Sequence, residues 1–174
     1  MSQTVLITGA SNGIGKACAR VFARKGYDLV LLARHREKLE AVKAELSEYN
    51  VQIKVIAMDL TGEDAAVDLY NDLVLDDISI DILVNNAGFG DHGAFHDSSW
   101  EKQKKMVLLN IVALMQMTYV FGQSMKRRKK GRILNVASIA GLCAGPYMST
   151  YYATKAFVLS FSESIAYELK DYNV

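Results

Sequence analysis

TVLITGASNGIG, residues 4–15, joins an apolar run to a glycine-rich turn. Val5, Leu6 and Ile7 are apolar without alternation, the pattern of a parallel strand covered on both faces. Gly9, Gly13 and Gly15 follow with the spacing Gly-x-x-x-Gly-x-Gly, where the chain passes from that strand into a helix. Glycine lets backbone come close to a bound pyrophosphate, and a helix N-terminus adds free N–H groups and a positive dipole end. A glycine-rich turn that holds no ligand is the other reading of the same residues. Either way, strand, turn and helix in that order open a βαβ unit and predict an α/β fold.

Outward from that unit, short apolar runs recur at Asp28–Ala33, Ile53–Ala57, residues 81–85 and residues 132–136. Helical patterns lie between them. Ile14, Ala17, Cys18, Val21 and Phe22 keep helical spacing on one face of the first. Leu39, Val42, Ala44 and Leu46 mark a second helix, and Val67, Leu69, Leu73 and Val74 a third. Ser98 or Ser99 suits the N-cap of a long fourth helix over residues 100–125, and a last helix is expected over 151–172. The order βαβαβαβαβα calls for a Rossmann-type, doubly wound parallel sheet with right-handed crossovers.

At 174 residues, with no linker or low-complexity tract, the whole chain 1–174 is expected to be one domain. It is 51% apolar with a formal net charge of +1, so no global field points to nucleic acid or an anionic membrane. The basic run KRRKK at 126–130 follows a long apolar stretch and reads as the solvated C-terminal end of a helix. That stretch, residues 106–125, approaches membrane-spanning length. Asn110, Gln116, Gln123 and Ser124 interrupt it, so a buried helix and no membrane insertion are expected. Cys18 and Cys143 form no metal-type pair and are expected to be reduced. No metal site is expected. No basic-then-apolar leader opens the sequence, and a cytoplasmic location is expected.

Past the second strand, Leu32-Ala33-Arg34-His35-Arg36 holds no acid to bond a ribose 2′-hydroxyl. Arg34 suits a 2′-phosphate instead, where a guanidinium makes paired charge-assisted bonds, with Arg36 and Lys38 adding to the field. This favours NADP(H); the competing reading is a set of solvated charges at a helix start.

YYATK at 151–155 places Lys155 one helical turn after Tyr151. A tyrosine hydroxyl ordinarily ionises near pH ~10, so its use as a proton donor near neutrality calls for a nearby cation. Tyr152 also lies within reach of Lys155, but the Tyr-x-x-x-Lys spacing selects Tyr151. Ser138, just after the fifth strand, suits a hydrogen bond to a substrate oxygen. Asn110 lies within an apolar run and needs partners, as a structural hydrogen bond or a proton-relay water site. With NNAG at 85–88, these residues read as a hydride-transfer enzyme.

Together these motifs resemble the short-chain dehydrogenase/reductase family, from about Gln3 to the end of the chain. The resemblance implies Ser138, Tyr151 and Lys155 as a catalytic triad, with Asn110 as a fourth member through a water relay. It implies that Thr8, Gly9, Ser11, Asn12, Gly13, Ile14 and Gly15 hold the diphosphate. It places Asp59 and Leu60 at the adenine, and Asn85, Asn86, Ala87 and Gly88 on the floor by the cofactor ribose. Arg34 matches the family's basic position for NADP(H), and Lys155 would also bond the nicotinamide ribose. The implied strand order is 3-2-1-4-5, without the family's last two strands.

Family members typically run to about 250 residues, so a C-terminally incomplete enzyme is expected, with the fifth strand an uncovered sheet edge. Phe89, Leu142, Cys143, Ala144, Tyr147 and Met148 flank the expected site and lean toward a lipophilic ketone, aldehyde or alcohol. A homodimer or homotetramer is expected from the helices that form contacts in similar enzymes. The competing function is a dinucleotide-binding fragment or scaffold without turnover.

Overall fold

The computed structural model describes residues 2–174. Strands β1 (Thr4–Thr8), β2 (Asp28–Ala33) and β3 (Ile53–Ala57) form at the expected positions. β4 (Ile82–Asn85) starts one residue later than expected and β5 (Arg132–Asn135) stops one residue earlier. All pairings are parallel, in the order β3-β2-β1-β4-β5. The chain therefore builds outward from β1 to β3, then returns to the other side of β1 for β4. That reversal places a topological switch between β1 and β4.

Alternate strand residues feed two separate cores. Leu6, Val30, Leu32 and Leu83 pack with α3 (Ala65–Leu75) and α5 (Leu114–Arg128), which contribute Leu69, Leu73, Met117 and Phe121. Val5, Ile7, Leu29, Leu31 and Val84 face α1 (Gly13–Arg24) and α2 (Arg36–Glu45). Both faces are covered, which is why the strands carry no apolar–polar alternation.

The apolar face expected for α1 is corrected in part. Ile14 and Val21 are 60% and 43% exposed, Ala17 is exposed too, and Gly15, Ala19 and Ala23 are the buried residues. Their i, i+4, i+8 spacing is helical, and Cys18 and Phe22 of the expected face, both half-buried, pack against the same core beside them. Val67, Val74 and Ala44 likewise point outward from their helices, while Leu39, Val42, Leu46, Leu69 and Leu73 are buried.

The fourth expected helix is one helical run from α4 (Trp100–Val107) through a π-helical stretch, Leu108–Ala113, to the end of α5. Ser99 is its cap, accepting the Lys102 N–H at 3.4 Å. Trp100–Arg128 is long and apolar enough to cross a bilayer by length and composition, and here Met106, Met117, Phe121 and Met125 are buried along it. The basic run at its end is more engaged than a solvated terminus. Arg128 donates to the Ile80 carbonyl at 2.5 Å, Arg128 and Lys130 face Asp81, and Lys126 lies 4.2 Å above the Tyr172 ring.

The last helix, α6 (Ser149–Leu169), begins two residues before Tyr151 and ends in a 3-10 turn, Lys170–Tyr172. β5 is a sheet edge as expected, and Leu134 on it is 49% exposed. Cys18 and Cys143 are both free, and burial raises the Cys18 thiol pKa. Among the described residues no His, Cys, Asp and Glu side chains group as a metal site.

Candidate functional site

A cleft of about 450 Å³ runs along the carboxyl ends of the strands, from the glycine-rich turn to α6. Open α/β sheets place ligands there, at the switch point. Of the residues singled out in the sequence, Gly9, Ser11, Asn12, Ile14, Arg34, Asp59, Leu60, Asn86, Ala87, Gly88, Tyr151 and Lys155 line it. Thr8, Gly13, Gly15, Asn85, Asn110 and Ser138 do not line it. Met58, Gly90 and Leu109 also line it and were not anticipated. Met58 carried a signal in its position, directly after β3.

The floor of the cleft is two turns fastened together. Thr8 Oγ1 accepts the N–H groups of Asn86 and Ala87, both at 2.9 Å, and donates to the Val84 carbonyl at 3.3 Å. Asn86 Nδ2 donates back to the carbonyls of Thr8 and Gly9 at 3.0 and 3.2 Å. A Cβ on Gly9 would sit 2.8 Å from Asn86 Nδ2, and one on Gly15 would sit 2.3 Å from the Gly9 carbonyl oxygen. These glycines are required by close approach between the two motifs.

Thr8 is 1% exposed, so its hydroxyl cannot be replaced by water. The isosteric change Thr8→Val is expected to strand two N–H groups and destabilise the chain by about 1–3 kcal/mol. A thermal melt should register a fall of roughly 2–10 °C. An unchanged melting temperature would show that the two turns are held by other means.

Beyond β2 the cleft is cationic. Arg34, His35 and Lys38 line it, while Arg36 turns toward Glu40 at 3.6 Å. Across from them, burial raises the pKa of Asp59, but the Thr61 N–H and hydroxyl at 3.0 and 2.8 Å outweigh it. With Lys105 and Arg34 nearby, the Asp59 carboxyl is held below the ordinary carboxylate value. No acid lines the end of β2.

At the other end, Tyr151 and Lys155 both reach the cleft from one face of α6. Lys155 is 7% exposed, its Nζ donates to the Val136 carbonyl at 2.8 Å, and it lies 5.9 Å from the Tyr151 ring centroid. Burial lowers its pKa, so the lysine is poised to gain from a new anionic or hydroxyl partner. A Cβ on Gly90 would meet the Tyr151 ring at 3.1 Å, so that glycine seats the ring. Tyr152 is directed elsewhere: its ring packs against Gly145, where a Cβ would approach to 2.5 Å.

Ser138 follows the cleft-lining pair Val136 and Ala137. Its oxygen accepts the Ala140 N–H at 3.1 Å, which leaves the hydroxyl hydrogen to donate. Asn110, 1% exposed in the π-helical stretch, accepts the Phe89 N–H at 3.1 Å. It donates to the Phe89 carbonyl at 2.9 Å and to Thr154 Oγ1 at 3.1 Å. Its side chain thus ties the loop after β4 to α6, and Thr154 completes the tie by donating to the Tyr151 carbonyl at 2.7 Å.

A second polar chain was invisible in the sequence. Asn85 donates to Thr118 at 3.1 Å and to its register partner Asn135 at 2.9 Å, and Asn135 donates to Ser162 at 3.0 Å. This fixes α5, β4, β5 and α6 to one another.

Comparison with known proteins agrees with this geometry. The family sequence model described as short chain dehydrogenase matches residues 3–174. A very-long-chain 3-oxoacyl-CoA reductase of Coccidioides immitis is 35% identical over 97% of this chain and 50% of its own length. The 17-beta-hydroxysteroid dehydrogenase type 3 of Mus musculus is 37% identical over 98% of this chain and 56% of its own length. The chain thus spans about half the length of these curated relatives. A short-chain dehydrogenase from Sphingobium yanoikuyae, solved in complex with NADPH, superposes with a TM-score of 0.91. It is 38% identical, over 98% of this chain and 67% of that one. With the strand order, the paired glycine and asparagine turns and this breadth of match in agreement, the chain belongs to the short-chain dehydrogenase family of oxidoreductases.

Proposed function

We propose that this chain carries the nucleotide site and reaction centre of an NADP(H)-dependent oxidoreductase that interconverts a ketone or aldehyde and an alcohol. The observation that carries this reading is the single cleft shared by Arg34, the glycine-rich turn, Tyr151 and Lys155. Its donors fit a phosphorylated dinucleotide. The start of α1 would hold the diphosphate, Arg34 and Lys38 a 2′-phosphate and the Asn86–Gly88 turn the ribose, since all of these line the one cleft.

When bound, the nicotinamide supplies or accepts the hydride. The protein handles the proton. In the reducing direction Tyr151 donates its hydroxyl proton to the carbonyl oxygen as the carbonyl carbon is reduced, and solvent restores it afterwards. Lys155 stabilises the negative charge left on the tyrosine oxygen. Ser138 holds the carbonyl oxygen with its free hydroxyl hydrogen. Asn110 is the fourth member, keeping the wall of the relay region fixed through Phe89 and Thr154. Oxidation runs these proton movements in reverse.

A lipophilic substrate is supported by the apolar residues Phe89, Leu142 and Met148 and by what the two relatives' names say they act on. Assembly as a homodimer or homotetramer is supported by Trp100, Val112, Met115 and Tyr119, all 39% exposed or more along the α4–α5 run. Light scattering showing a concentration-independent monomer would count against assembly.

The test is a titration of the chain with NADPH and separately NADH, followed by nucleotide fluorescence. Saturable binding that is tighter for NADPH is expected; no binding of either overturns the reading. Arg34→Asp should weaken NADPH binding by roughly tenfold to a hundredfold, the loss of a charge-assisted contact, and tilt the preference toward NADH. An unchanged NADPH/NADH affinity ratio would remove the assignment of Arg34. Binding without NADPH consumption across a panel of ketones would favour a dinucleotide-binding unit, the second reading.

A further inference from the structure

The loop from β5 to α6 contains a residue whose backbone conformation contradicts its chemistry. Residues 145–148 form a β-turn closed by the Met148 N–H to the Gly145 carbonyl at 3.1 Å. Pro146 takes the second place of that turn, which its fixed φ suits. The third place, Tyr147, has φ +64°. Turns of this form ordinarily put glycine or asparagine there, because a Cβ is strained at positive φ. This chain places a bulky aromatic instead.

Nothing in the core requires it. Tyr147 is 62% exposed, so its ring contributes little to packing. It is held in one place all the same. Its carbonyl accepts the Gly93 N–H at 2.8 Å, and its ring stacks on His92 at 6.0 Å between centroids, 28° between planes. The His92 loop is anchored in turn, since Asp91 pairs with Lys102 of α4 at 2.5 Å.

The position of this pair gives the strain a purpose. His92 lies two residues past Gly90, the glycine on which the Tyr151 ring rests. Tyr147 lies four residues before Tyr151, and Met148 of the same turn approaches Gly90, 3.5 Å from the position a Cβ there would take. The two loops therefore meet beside Gly90 and Tyr151, at the rim of the cleft, whose own lining includes those two residues but neither Tyr147 nor His92. Strained backbone that persists without a packing reason concentrates at ligand sites.

We propose that Tyr147, backed by His92, is the specificity-determining lip of the substrate site and selects carbonyl compounds with a flat ring beside the carbonyl. This rests on the oxidoreductase reading above. The exposed Tyr147 face stacks on the substrate ring, and His92 fixes the angle at which it does so.

The test compares the parent chain with Tyr147→Gly, which suits the positive φ, and with His92→Ala. 2-Acetylnaphthalene and cyclohexanone serve as substrates with NADPH. In Tyr147→Gly, kcat/KM for the naphthyl ketone should fall about tenfold more than for cyclohexanone, chiefly through KM. His92→Ala should shift the ratio the same way by less. The melting temperature of Tyr147→Gly should equal or exceed that of the parent, because strain is relieved. Equal losses on both ketones, or a marked fall in melting temperature, would overturn the proposal by making Tyr147 structural. A parent chain that turns over neither ketone sinks the oxidoreductase reading alone. The lip is then decided by NMR of the NADPH-loaded chain: a shift of the His92 ring protons on adding 2-acetylnaphthalene upholds it, and no shift ends it.

Discussion

Tyr151→Phe is expected to lower turnover by on the order of 10²–10⁴-fold, the range for losing a positioned proton donor. NADPH binding should persist nearly unchanged, because the phenylalanine ring keeps the surface that rests on Gly90. Stability should hold as well. None of the hydrogen bonds that hold the cleft together passes through the Tyr151 hydroxyl, so its removal strands none of those partners. The relevant measurement pairs NADPH consumption in the presence of a ketone with nucleotide fluorescence. Lost binding in the same variant would assign Tyr151 to the architecture of the cleft. Retained turnover would mean that the proton comes from elsewhere, with Tyr152 excluded by its packing on Gly145.

The sheet was legible in the sequence because parallel strands buried on both faces leave unbroken apolar runs, and β1, β2 and β3 fall where those runs do. The burial of α1 was misread for a related reason. Apolar spacing weights large residues, and this helix lies so close to the sheet that Gly15, Ala19 and Ala23 make the buried contact, flanked by Cys18 and Phe22, while Ile14 and Val21 face outward. The π-helical stretch at Leu108–Ala113 left no sign, since its apolar residues suit an α-helix equally well. Cleft-lining residues were legible where chemistry demands a side-chain type, as at Arg34, Tyr151 and Lys155. Supporting residues were not. The bond from Asn85 to Asn135 depends on β4 and β5 being neighbours in that register, which no local pattern encodes. Thr8 stood in the right motif, but that its hydroxyl joins the glycine turn to the asparagine turn could not be read there.

The two glycines flanking Ile14 should respond differently to substitution, because their reasons for being glycine differ. Gly13 has φ +51° and no atom within 4 Å of the place a Cβ would occupy. Its demand is conformational alone, so Gly13→Asn should be mild and Gly13→Ala should cost about 1–2 kcal/mol, the left-handed penalty. Gly15 carries no positive φ, yet a Cβ there would lie 2.3 Å from the Gly9 carbonyl oxygen and 2.6 Å from Asn86 Nδ2. The first of these is backbone and cannot rotate away. Room can come only by lifting α1 from the sheet or by parting the two turns, which breaks the Asn86 bond to the Gly9 carbonyl. Gly15→Ala, a change of one methyl group, is therefore expected to cost about 3 kcal/mol or more. The melting temperature should fall by roughly 6–12 °C. NADPH affinity should drop with it, since the start of α1, which lines the cleft, would be displaced from it. Melting curves and nucleotide titrations of Gly13→Asn, Gly13→Ala and Gly15→Ala in parallel separate the two demands. If Gly15→Ala melts and binds like the parent while Gly13→Ala does not, only the backbone conformation of the turn matters, and the close seating of α1 on the asparagine turn is not what shapes the nucleotide site.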